Sequence, residues 1–185
     1  MWLFIFTEML LFGGLFIVYS VIRFSHQAAF HLAAEELDLT IGAINTVILL
    51  TSSMTVAMSV TSMQYGNRKL TLILIGTTIL LGLVFLANKY FEWSLKIEHG
   101  LYPGSAILQG FGNGDTLFFG LYFFMTGLHA LHIIAGISFL GVVMSRVAKG
   151  KIHAGFFAHL ENGALYWHLV DIIWIFLFPL FYLIT

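Results

Sequence analysis

Five long apolar runs, at residues 2–22, 41–63, 70–93, 116–144 and 163–184, take up most of this chain. A hydrocarbon core is crossed by about 20 apolar residues in helical form, and every run reaches that length. In lipid each backbone N–H and C=O must find a partner inside the protein, which leaves helices or a closed barrel. The short alternating strands and turns of a barrel are missing from the sequence, so helices remain. Composition agrees. Of 185 residues 59% are hydrophobic and only 9% charged, too few polar side chains to cover a soluble domain. The chain is therefore expected to be all-α and polytopic, with five transmembrane helices in one bundle spanning residues 1–185.

The connections fix an expected orientation. Residues 64–69 carry Arg68 and Lys69, and residues 145–159 carry Arg146, Lys149 and Lys151. The other two connections are acidic or mixed, with Glu35, Glu36 and Asp38 in one and Lys96, Glu98 and Asp115 in the other. Lysine and arginine mark the cytoplasmic side. The N-terminus is thus predicted inside and the C-terminus outside. The connection at 94–115 holds Pro103 and five glycines, including Gly110, and reads as ordered or partner-covered. No positively charged stretch precedes the first run and no small-residue cleavage site follows it, so a cleavable signal is not expected. That run starts so abruptly that a short preceding extension is expected. Net charge is −1, which leaves no footprint for nucleic acid. Without cysteine the chain offers no thiolate ligands, disulfides or c-type haem attachment.

Ionisable groups inside spans are costly and each is a candidate site. Glu8 has the apolar Phe4, Leu11 and Phe12 on its helical face, so leaving it charged costs several kcal/mol. Its readings are a proton-handling or lipid-contacting carboxyl, a structural contact, or a group near the inner interface. His129 and His132, at i and i+3, share a face and are able to touch one ion, with His168 or Glu161 as further ligands. A bis-His haem would take His129 or His132 together with His168. Structural hydrogen bonding explains the same residues, because buried polar groups find partners. Glu161, His168 and Asp171 line one face of the last span, and Asp171 is expected to hydrogen-bond His168 and fix its tautomer. Thr51, Thr55, Ser59 and Ser62 form a polar-small stripe on the second span, read as helix packing. The same explanation serves Gly13, Gly14, Gly76, Gly82, Gly120, Gly127, Gly136 and Gly141.

Four motifs carry a family resemblance: FIFTEMLLFGGLF at 4–16, INTVILLTSSMTVAMSV at 44–60 followed by GNRK, GLHALHIIAG at 127–136, and ENGALYWHLVDIIWIFLF at 161–178. Together they resemble subunit III of the haem–copper oxidases, the cytochrome c and quinol oxidase group, in its short five-helix form. The resemblance implies an accessory subunit without redox centres, haem and copper being carried by subunits I and II. It implies packing against subunit I, contact with subunit II and small subunits, membership of a respiratory supercomplex, support of proton uptake and turnover stability, and phospholipid held in a cleft. Glu8 then matches the family's buried glutamate, and Arg146 a basic residue that meets a lipid phosphate. His129, His132, Glu161, His168 and Asp171 match structural polar positions. Ile17 and Val21 stand where longer members carry Trp and His, and residues 28–38 replace a longer Pro-rich loop. The short form suits a bacterial inner membrane. The readings set against it are a nitric-oxide-reductase-associated relative, a free-standing b-type cytochrome, and a small proton transporter built on Glu8 and the stripe.

Overall fold

The computed structural model describes residues 1–105, 108, 110, 112–152 and 156–184. Among them are six helices: α1 (Trp2–Ser25), α2 (Gln27–Glu35), α3 (Leu39–Gln64), α4 (Arg68–Glu98), α5 (Asn113–Ala148) and α6 (Ala158–Tyr182). All but α2 are long and apolar enough to cross a membrane. Each predicted run lies largely within one of these helices. The helices overshoot the runs because helix formation does not stop where the apolar composition does. The 36 residues of α5 extend about 54 Å at about 1.5 Å each, beyond a hydrocarbon core of roughly 30 Å. Its charged ends at Asp115 and Arg146 therefore belong to the helix.

Helix α2 lies where the sequence predicts only a connection between the first two spans. It is too short to span and its composition is mixed, so no transmembrane signal marks it. His26, in a non-helical conformation, breaks the chain between α1 and α2. Phe30, Ala33 and Ala34 form the buried face of α2, at the i, i+3, i+4 spacing of an amphipathic helix.

Local chemistry sets the helix ends. The Asp38 carboxylate accepts from the backbone N–H of Thr40 at 2.8 Å and of Ile41 at 3.3 Å, capping α3. Asn67 caps α4 through the N–H of Leu70 at 3.2 Å. At the end of α4, Gly100 has φ +72, its N–H reaches the Ile97 carbonyl, and Leu101 N–H reaches back to Lys96. This paired closure needs a left-handed residue that glycine supplies without strain.

The chain packs as two compact units. The first comprises Met1–Ile44, Asn88–His129 and the stretch from Ile173, and the second comprises Asn45–Ala87 and Ala130–Ile172. Aromatic rings fill the first unit. Tyr19, Phe30, Phe118, Tyr122 and Phe181 meet edge-on, with centroids 5.1–5.7 Å apart. The Tyr19 hydroxyl donates to the Leu180 carbonyl, one of the acceptors left open in the last turn of α6. Lys96 likewise donates to the Glu36 carbonyl and ties down the end of α2.

In the second unit Trp167, with no exposed surface, is the largest buried side chain. Gly82 on α4 and Gly136 on α5 make room for its ring. A Cβ at Gly82 would stand 2.8 Å from Trp167 Cη2, and one at Gly136 2.9 Å from Cε3. Tight packing thus explains these two glycines as expected. At Gly13, Gly14, Gly120 and Gly141 a Cβ would meet no described atom of this chain within 4 Å. Gly136→Ala should cost about 1–3 kcal/mol by overpacking, while Gly141→Ala should be neutral or slightly stabilising. Thermal unfolding of the solubilised chain measures both, and equal effects would contradict the packing described.

Candidate functional site

Each unit holds one concentrated set of polar side chains. In the first, Lys89 and Glu92 sit one turn apart on α4, 3% and 2% exposed. Lys89 Nζ donates to Glu92 Oε2 at 3.0 Å, to Tyr182 Oη at 2.5 Å and to Tyr122 Oη at 3.3 Å. Both phenols donate to the other carboxylate oxygen, Tyr122 at 2.7 Å and Tyr182 more closely. All three ammonium protons are used, and both carboxylate oxygens accept. The Trp174 ring lies 4.8 Å from Nζ and the Tyr182 and Tyr122 rings at 5.1 and 5.2 Å, a cation–π enclosure. Gly42 on α3 completes the site, since a Cβ there would stand 2.9 Å from both Phe178 and Tyr182. The quartet fastens α4, α5 and α6 within this unit. Lys89 and Glu92 are not among the residues expected from sequence to form a site. Opposite charges at i and i+3 inside an apolar run were the available signal.

The second unit carries a seam of hydrogen bonds across helices. Trp167 Nε1 donates to Ser52 Oγ at 2.9 Å. Ser53 Oγ lies 2.6 Å from His168 Nδ1. Thr55 and Thr78 hydroxyls are 2.8 Å apart, and Thr71 donates to Ser62 at 3.2 Å. Tyr166 donates to the His132 carbonyl at 3.0 Å. The expected stripe on α3 is partly corrected. Thr55, Ser59 and Ser62 face inward, but Thr51 is exposed and bonds its own helix at Val47. Ser52 and Ser53 make the contacts to α6 that the stripe left out. Arg68 Nη2 donates to the Ala148 carbonyl, so the basic turn secures the end of α5.

The expected His168–Asp171 hydrogen bond is not formed. His168 Nδ1 reaches α3 instead, and among the described residues neither buried oxygen of Asp171 has a hydrogen-bond partner. Glu161 does not join the seam. It is exposed in the first turn of α6, where a negative charge complements the helix dipole. His129 is fully buried, its ring 5.3 Å from that of Trp174. His132 is half-buried, as is Glu8 on α1, and Arg146 is exposed in the last turn of α5. Among the described residues no three His, Asp or Glu side chains cluster to hold a metal ion. The first unit also has an open cleft of about 740 Å³. Phe16, Phe176 and Leu180 line its apolar part, and Arg23, Gln27 and His31 its polar part.

Five membrane-length helices with interhelical polar contacts define a multi-pass helical membrane protein. Residues 1–185 match the family described as cytochrome c oxidase subunit III. The chain is 32% identical over 187 residues to cytochrome c oxidase subunit 3 of Thermostichus vulcanus, covering 98% of this chain and 84% of that one. It is 30% identical over 182 residues to the cytochrome bo(3) ubiquinol oxidase subunit 3 of Pseudomonas aeruginosa, covering 98% and 82%. It is also 30% identical over 190 residues to the heme-copper oxidase subunit I+III of Aeropyrum pernix, where it covers 100% of this chain but spans only 22% of the relative. The protein belongs to the cytochrome c oxidase subunit III family. A match along the whole chain favours this over the free-standing cytochrome and transporter readings.

Proposed function

We propose that this chain is the accessory subunit III of a proton-pumping terminal oxidase that reduces oxygen to water, set in a bacterial inner membrane with its N-terminus in the cytoplasm. Its main partner is subunit I. The observation that carries this is the subunit I+III relative of Aeropyrum pernix, to which the whole chain aligns. A protein whose name joins the two subunits supports their direct contact. Subunit II, small subunits and a supercomplex are further partners of the same assembly. Haem and copper then reside on subunits I and II, and this chain contributes assembly, proton-uptake support and stability during turnover.

Glu8 is the residue of this chain assigned to proton uptake. It is half-buried on α1, whose flanks expose Trp2, Leu3, Phe6, Met9 and Leu10 to lipid or to a partner helix. Phospholipid has two places. One is the exposed Arg146 at the end of α5. The other is the cleft, where apolar walls meet the Arg23 cation. In the oxidase complex, Glu8→Gln should leave haem content intact and shorten the active lifetime during turnover. Absorbance spectra and progress curves of the purified complex test this. Loss of all haem, or an unchanged lifetime, would contradict it.

A further inference from the structure

Helix α3 presents two thioethers at the surface of the second unit. Met54 is 63% exposed and Met58 45% exposed. They stand four residues apart, about one helical turn, so their side chains are neighbours on one face. The same helix exposes Val47 and Leu50. It is long and apolar enough to cross a membrane. At about 1.5 Å per residue, Met54 lies about 4 Å along the axis from the middle of α3 and Met58 about 10 Å. With α3 centred in the bilayer, both sit inside a hydrocarbon core that reaches roughly 15 Å to either side. The groups they meet there are acyl chains.

Lipid contact asks only for apolar surface, and leucine at 54 and 58 would serve it as well. A thioether adds what valine and leucine lack, a sulfur lone pair that accepts an oxygen atom. The chain has no cysteine, so methionine is its only sulfur. The methionines divide by position. Met63, near the end of the same helix, and Met125 on α5 are 1% and 0% exposed. Oxidation at those two would put a polar sulfoxide into packed surroundings. At 54 and 58 it would displace no core side chain, because both face outward. These two positions combine access to an oxidant with tolerance of the product, as a sacrificial acceptor requires.

We propose that Met54 and Met58 form a peroxide-quenching site that faces the bilayer, with the hydroperoxides of unsaturated acyl chains as its substrate. In each reaction the O–O bond of the hydroperoxide breaks and an S–O bond forms at one methionine. The sulfur is oxidised by two electrons to the sulfoxide. The hydroperoxide is reduced to the alcohol, which keeps the proton. Sulfoxide is the first rung of methionine oxidation and is reversed by sulfoxide reductases. The site uses only this chain's residues and does not depend on the oxidase assignment.

The test places the purified complex in phosphatidylcholine vesicles in which a known fraction of the lipid carries a linoleoyl hydroperoxide. Peptide mass spectrometry follows oxygen uptake at each methionine. Chromatography of the extracted lipid follows conversion of hydroperoxide to alcohol. Met54 and Met58 should gain oxygen at least about tenfold faster than Met63 and Met125, because exposure governs susceptibility. That comparison needs no variant. The double variant Met54→Leu/Met58→Leu is a volume-conserving change on an exposed face. It should form fewer alcohol molecules per chain than wild type, by the number of oxygens that wild type takes up at these two residues. Oxidation of Met54 and Met58 no faster than that of Met63 and Met125 would overturn the proposal, since the pair would then be shielded from the lipid. A double variant that forms as much lipid alcohol as wild type would also overturn it, since the sulfoxides would then have another oxidant as their source.

Discussion

Lys89→Met should destabilise the protein by about 3–5 kcal/mol, the cost of leaving a buried carboxylate without its counter-ion. Glu92 would keep two phenol donors but lose the ammonium that balances its charge. Glu92→Leu alone should cost a similar amount, since the Lys89 charge then has only phenol oxygens and aromatic faces around it. The double variant Lys89→Met/Glu92→Leu should recover most of the loss, because a buried ion pair replaced by apolar groups of similar volume is often close to neutral. Thermal or denaturant unfolding of the four chains in one detergent gives the comparison. A double variant as unstable as the sum of the singles would show that the quartet is not a coupled unit.

Trp167→Ala should cost about 3–5 kcal/mol through the cavity left by a fully buried ring. The ring occupies the space that Gly82 and Gly136 leave on α4 and α5, and its N–H satisfies Ser52. Trp167→Phe should cost less, since much of the volume stays and only the indole edge and donor go. Ser52→Ala should cost about 1–3 kcal/mol by stranding the buried indole N–H. If Trp167→Ala unfolds no more readily than Ser52→Ala, the hydrogen bond and not the packing dominates.

The unequal legibility of this chain follows from what lipid demands. The five spans were plain in sequence, because a membrane core forces about 20 apolar residues into each crossing. Their ends were not, since helices run on past the bilayer until a cap such as Asp38 or a left-handed Gly100 stops them. The polar seam was legible in kind but not in pairing. Residue spacing along α6 put His168 beside Asp171, yet hydrogen bonds cross between helices, and which serine stands opposite depends on helix rotation. Neighbouring Thr51, Ser52 and Ser53 show this. One faces outward and two face α6, a difference of about 100° per residue that composition cannot reveal. The Lys89–Glu92 pair was hidden for a related reason. Its charges cancel inside the protein, so it leaves a span readable as apolar, and its phenol partners are more than 25 residues away along the chain.

The functional assignment rests on association with the large oxidase subunit. Its most direct test is purification of a tagged chain from native membranes in mild detergent, with mass spectrometry of the partners and a reduced-minus-oxidised spectrum. An oxidase haem spectrum together with a large multi-helix subunit is the result predicted, and the co-purifying electron donor would complete the assembly. A chain that purifies alone, with or without a b-type spectrum, would contradict the account.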